Sequence, residues 1–85
     1  MRKIWDEKAW EDYLYWQFHA KQMLKRVNML IRDVERSPFD GIGKPEPLRG
    51  DLSGFWSRRI NDEHRLVYRV QNGMLEIASY RDHYS

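Results

Sequence analysis

The 85-residue chain contains no cysteine, and this excludes disulfide staples and thiolate metal sites alike. It also lacks the run of roughly 18 or more apolar residues that a membrane span requires, and its first ten residues, MRKIWDEKAW, have no apolar core of a signal peptide. A soluble, cytoplasmic protein with no membrane association is therefore expected. Proline and glycine are nearly absent outside one stretch: residues 37–54, SPFDGIGKPEPLRGDLSG, hold all three prolines and four of the five glycines. Charge of one sign is scarce as well, because 15 Lys and Arg against 13 Asp and Glu leave a net charge of only +2.

What is present is a globular composition, 41% hydrophobic and 14% aromatic, with four Trp and five Tyr. A chain this short builds one modest core, so residues 1–85 form a single domain, and the large rings must supply much of its buried area. The charge is unevenly spread. Residues 20–36 carry Lys21, Lys25, Arg26, Arg32 and Arg36 against Asp33 and Glu35, which would give one helix a basic outer face suited to phosphate or, more plainly, to solvent.

Arg2 to Trp5 reads as a short strand, and Asp6 sits where an N-cap belongs. Ala9, Trp10, Tyr13, Leu14 and Gln17 recur at helical spacing, as do Met23, Val27, Leu30, Ile31 and Val34. No Pro or Gly separates the two sets, so one long helix and a helical hairpin both fit the pattern. Pro38 ends the helical region by restricting Ser37. The 18-residue stretch that follows is long for a connection in a compact domain, a length associated with function or disorder.

From Phe55 the period changes to two, with strand candidates FWSRRIN, HRLVYRV and MLEIASY. Asn72-Gly73 is a strong two-residue hairpin signal, since a type I′ turn needs positive φ at both positions. An unbroken register from that turn pairs Gln71 with Met74 and sets Leu66, Tyr68 and Val70 against Ser79, Ile77 and Leu75 on the core side. It also sets Arg69 against Glu76, Val67 against Ala78 and Arg65 against Tyr80. A three-residue turn at Asn61-Asp62-Glu63 puts Arg59 opposite Arg65, a like-charge pair that solvent must separate or an anion must bridge. The terminal His83 and Tyr84 then reach the same end of the sheet.

Arg59, Arg65, His83 and Tyr84, bordered by the stiff KPEP segment with Glu46, make a set suited to RNA cleavage without a metal. That reaction needs a base for the 2′-hydroxyl, an acid for the leaving 5′-oxygen and cations for the crowded phosphorane. Each residue also has a plain reading as a surface charge, a solvated histidine or a partner of Asp62, Glu63 or Asp82. Neither the spacing of His19, His64 and His83 nor any serine elbow motif supports a metal or a serine nucleophile.

The segments KIWDEKAWEDYLYWQ and SPFDGIGKPEPLRGDLSGFWSRRINDEHRLVYRV and the terminal HY resemble the YoeB-like toxins of bacterial toxin-antitoxin systems over nearly the whole chain. The resemblance implies an α+β, RelE-like fold: an antiparallel twisted sheet with two N-terminal helices on one face. It implies a ribosome-dependent endoribonuclease that cuts mRNA in the ribosomal A site with no cofactor. Glu46 would be the general base, His83 the general acid, and Arg65 the stabiliser of the transition state. Tyr84 would complete the catalytic set by touching the RNA, and Lys44, Arg49 and Arg59 would bind it. The family often has Lys where this chain has Arg49, which keeps the charge and changes how a phosphate is gripped. The implied partners are a YefM-like antitoxin, the 70S ribosome and mRNA, a second copy of the toxin, and operator DNA for the antitoxin complex. Two readings stay open beside it: a non-enzymatic RNA- or ribosome-binding module, and a protein-interaction domain.

Overall fold

The computed structural model describes residues 1–79. β1 (Arg2–Trp5) leads into α1 (Glu7–His19) and α2 (Lys21–Arg36). A long loop then reaches β2 (Glu46–Pro47), a 3-10 turn (Gly50–Leu52), β3 (Trp56–Arg59), β4 (Arg65–Gln71) and β5 (Met74–Ser79). The five strands form one sheet in the order β1-β5-β4-β3-β2, and the two helices cover one of its faces. Among the described residues no helix is long and apolar enough to cross a membrane.

The chain breaks between the helices at Ala20, whose φ of −154° and ψ of 72° lie outside helical geometry. Ala20 still donates its amide to Trp16 and accepts one from Leu24, so the hydrogen-bond ladder of each helix runs up to the break. Asp6 occupies the cap position of α1 without a side-chain cap bond; its amide instead donates to the Ile77 carbonyl and ties the helix start to β5. α2 buries Val27, Leu30, Ile31 and Val34 as the spacing predicts. α1 is rotated from its expected face. It buries Ala9, Asp12 and Trp16, while Trp10, Leu14 and Gln17 stay exposed, because Trp16 reaches into the core against the His64 ring. Trp10 is not isolated, since its ring stacks on Tyr13 and meets Trp5 edge-on.

β2, β3, β4 and β5 pair antiparallel, and β1 joins β5 in parallel, so the sheet is mixed. Both residues of the Asn72-Gly73 turn have positive φ, 54° and 73°. The hairpin register holds for Gln71–Met74, Val70–Leu75, Arg69–Glu76 and Tyr68–Ile77. It then slips by one residue, and Val67 faces Ser79 instead of Ala78. This bulge overturns the expected pairs Val67–Ala78 and Leu66–Ser79 and breaks the register from which Arg65–Tyr80 was projected; Tyr80 itself lies outside the described residues. At the other turn Asn61 accepts the amides of Glu63 and His64 through Oδ1, and Ile60 donates to the His64 carbonyl, which fixes Arg59 opposite Arg65 as expected.

The helix-facing side of the sheet buries one charge. Arg58 is fully buried and donates to Asp33 of α2 at 2.6 Å and to the Tyr68 hydroxyl at 3.1 Å. Its remaining donors go to the carbonyls of Ser37 (2.6 Å), Asp40 (2.9 Å) and Ile42 (3.1 Å). Gly41 is required beside it, since its φ is +127° and a Cβ there would collide with the Asp33 carboxylate.

Hydrogen bonds from Arg58, the Ile42 amide and Arg36 hold the Asp33 carboxyl at about 2, below its ordinary 3.8. A depressed carboxyl contributes stability that is complete above its unfolded value and is lost as pH falls toward the folded one. Removing one partner of a buried ion pair costs about 3–5 kcal/mol. Asp33→Asn is therefore expected to lower stability to urea by that order at neutral pH. The gap to the parent protein should narrow as pH falls from about 4 toward 2, and a gap that stays constant across that window would contradict the assignment.

Candidate active site

Strand alternation sends Arg58 inward and its neighbours Ser57 and Arg59 to the opposite, helix-free face. Three strands meet there. Glu46 of β2 pairs in register with Ser57 of β3, and Ser57 pairs with Val67 of β4. Arg65, two residues before Val67, extends back across β3. Its Nη1 donates to Glu46 Oε1 at 3.1 Å and to Ser57 Oγ at 3.3 Å. Ser57 and Val67 are both fully buried although Val67 lies outside the cluster that packs on the helices, so they make a dry floor under the pair. Above that floor the Glu46 side chain is 57% exposed and that of Arg65 28%.

The like-charge pair Arg59–Arg65 is resolved by giving each guanidinium its own carboxylate. Arg65 takes Glu46, and Arg59 donates to Asp62 at 2.8 Å within the turn. The Arg59 backbone is also anchored, its amide donating to the Gly43 carbonyl and its carbonyl accepting from Arg26 Nη2. Further along the same face Arg69 donates to Glu76 through two nitrogens, 2.6 and 3.2 Å, and lies 4.6 Å over the Phe55 ring.

The other expected residues are placed less closely. Lys44 is exposed and follows Gly43 with a left-handed φ of 53°. Arg49 is exposed just before the 3-10 turn. His83 and Tyr84 lie outside the described residues; β5 is last described at Ser79 beside Val67, two residues along from Arg65. Two cations of the basic face of α2 are already engaged: Arg26 donates to the Arg59 carbonyl, and Arg36, though exposed, pairs with Asp33, while Lys21, Lys25 and Arg32 are exposed beside them.

Sequence reasoning missed Ser57 and Arg58. The signal for Arg58 was available: a residue between Trp56 and Ile60 on the side of Leu66 and Tyr68 must be buried, and a buried guanidinium needs a carboxylate such as Asp33.

A small α+β domain with this sheet and two helices on one face is the RelE-like toxin fold. The agreement extends to sequence. A model of the YoeB-like toxin of bacterial type II toxin-antitoxin systems matches residues 5–84. Toxin YoeB of Escherichia coli strain K12 is 58% identical over 84 residues, covering 99% of this chain and 100% of that protein. The solved YoeB/ParE toxin from Agrobacterium tumefaciens superposes with a TM-score of 0.96 at 49% identity, covering 99% and 100% of the two chains. A YoeB chain in the heterotetrameric YoeB-YefM toxin-antitoxin complex from Staphylococcus aureus gives 0.92 at 45% identity, covering 99% and 98%. More distantly, the endoribonuclease HigB of Proteus vulgaris is 28% identical over 68 residues, 74% of each chain. The chain belongs to the YoeB-like family of type II toxins.

Because Glu46 and Arg65 sit at the surface, their pairing contributes little to folding, within about 1 kcal/mol. Glu46→Ala and Arg65→Ala, alone and together, should leave the urea midpoint nearly unchanged. A coupling energy well above that figure in the double-mutant cycle would make the pair a structural bridge instead.

Proposed function

We propose that this toxin is an endoribonuclease that cuts mRNA in the ribosomal A site and thereby stops translation. The observation that carries the reading is the Glu46 carboxylate held by Arg65 over a buried floor, with Arg59 directly opposite in the sheet. The names of the relatives add support, since one of them is an endoribonuclease.

The chemistry follows from the groups present and uses acid and base without a metal. Glu46, ionised, takes the proton of the 2′-hydroxyl, and the freed 2′-oxygen attacks the adjacent phosphorus. Arg65 stands beside the base and can follow the negative charge from the carboxylate to the phosphorane; Arg59 adds a second cation from across the strand pair. His83 delivers a proton to the departing 5′-oxygen, and Tyr84 stacks or bonds to the RNA beside it. The balanced products are a 2′,3′-cyclic phosphate and a 5′-hydroxyl. Lys44 and Arg49, on the exposed loop around Glu46, hold the flanking phosphates.

The same reading assigns a cytoplasmic site of action. It also assigns a YefM-like antitoxin partner and self-association into a dimer, in line with the YoeB dimer and the YoeB-YefM complex of Staphylococcus aureus, and it has the toxin-antitoxin complex bind operator DNA.

The test is primer-extension mapping of mRNA on translating ribosomes, with the cleaved ends analysed chemically. Cuts within the A-site codon bearing a cyclic phosphate are expected. Glu46→Ala and His83→Ala should each lower the single-turnover rate on the order of 10²- to 10⁴-fold, and a 2′-deoxy nucleotide at the cut should abolish the reaction. Chelation by EDTA should leave the chemical step intact on ribosomes whose integrity is controlled. Binding to ribosomes without scission, or cleavage of the deoxy substrate, would overturn the proposal.

A further inference from the structure

We infer that Arg58 and Tyr68, buried on the face opposite the site, are positioning residues for Glu46. This inference rests on the reading of Glu46 as the base. The nine residues between α2 and β2 form neither helix nor strand, and Glu46 follows them directly. β2 itself is only two residues long, Glu46 and Pro47, and proline has no amide to donate, so the strand contributes little to fixing its own place. Just after it the Leu48 amide donates to the Phe55 carbonyl; on the Glu46 side the preceding loop sets where the strand begins.

That loop is held almost entirely by buried side chains. Arg58 binds the carbonyls of Ser37, Asp40 and Ile42. The Tyr68 hydroxyl donates to the Pro38 carbonyl at 2.6 Å, and Asp33 Oδ2 accepts the Ile42 amide at 3.0 Å. The last tether before the KPEP segment is the Gly43 carbonyl, which accepts the Arg59 amide at 2.7 Å. No side chain fits at Gly43, since a Cβ there would lie 2.8 Å from Leu30 and 3.1 Å from Arg58. From Gly43 only Lys44 and Pro45 remain before Glu46. A guanidinium inside the protein thus sets where the carboxylate emerges outside it. Consecutive β3 residues serve both ends: Arg58 clamps the loop from within, while Ser57 pairs with Glu46 and bonds Arg65 without.

A displacement of about 1 Å at a reacting group can cost on the order of 10²-fold in rate, so loosening the clamp should be read in the chemical step. Tyr68→Phe keeps the ring and removes only the hydroxyl. Arg58→Lys keeps the charge opposite Asp33 and removes the fork. Single-turnover cleavage and ribosome affinity are measured for each variant, alone and combined with Glu46→Ala. Amide exchange is followed at Ile42 and Arg59.

Tyr68→Phe is expected to lower the saturating rate roughly tenfold or more with affinity unchanged. The same change should have almost no effect once Glu46 is gone, because both changes then act through one group. Exchange at Ile42 and Arg59 should quicken while the β4–β5 ladder keeps its protection. An equal loss in both backgrounds, or a parental rate for Tyr68→Phe, overturns the positioning role, with Tyr68→Phe deciding alone if Arg58→Lys does not fold. Parental cleavage by Glu46→Ala overturns the base assignment and the positioning role together.

Discussion

The fold turns on one buried charge pair, Arg58 with Asp33. A guanidinium taken out of water is costly unless its donors are met and its charge is opposed. Here Asp33 opposes the charge, three loop carbonyls take further donors, and the Tyr68 hydroxyl takes Nε. The need of one side chain to be satisfied thereby becomes the order of a loop that has no helix or strand of its own. It joins α2, the loop and β3 at a point where apolar packing alone would leave the loop free to choose among many shapes.

The strand that bears Arg58 also explains why a well-satisfied interior and a poorly satisfied exterior lie only one residue apart. Ser57, Arg58 and Arg59 alternate between faces. Inside, one arginine is fully partnered. Outside, Arg65 and Arg59 face each other, each held by one partly or wholly exposed carboxylate through a bond that solvent screens. The two pairs differ in what could replace them: the exposed Glu46–Arg65 bond is open to a competing anion at little cost, whereas nothing small could displace Asp33 from Arg58. Stability is thus concentrated on the helix side of the sheet, and the proposed site lies on the other.

How much of this could be read from the sequence follows from how local each constraint is. The Asn72-Gly73 turn and the register beside it were legible because positive φ at both positions is a local demand, and Arg59 opposite Arg65 followed from a short turn in the same way. The bulge at Val67 was not legible, since nothing in Ala78 or Ser79 marks an extra residue. β1 could be recognised as a strand, but its parallel partnership with β5 is a long-range choice that alternation does not encode. On α1 both candidate faces carry aromatics, and the choice between them is made by long-range packing of Ala9 and Trp16 into the core shared with α2 and the sheet. Glu46 and Arg65, expected from the sequence at one site, are hydrogen-bonded in the structure, yet Ser57 beneath them was not expected, because a lone serine in a strand has no signature. His83 and Tyr84, proposed as acid and RNA contact, lie outside the described residues.

The central claim is that Glu46, handed to the outer face by the clamped loop, is a base that Arg65 guards until RNA arrives. The most direct measurement is a structure of the protein on a ribosome whose A-site mRNA carries a 2′-O-methyl group at the nucleotide to be cut. The account predicts the scissile phosphate within hydrogen-bond reach of Arg65, with the Glu46 carboxylate released from it and about 3 Å from the 2′-oxygen. A phosphate bound away from Arg65, or a Glu46–Arg65 pair still intact beneath it, would contradict the account.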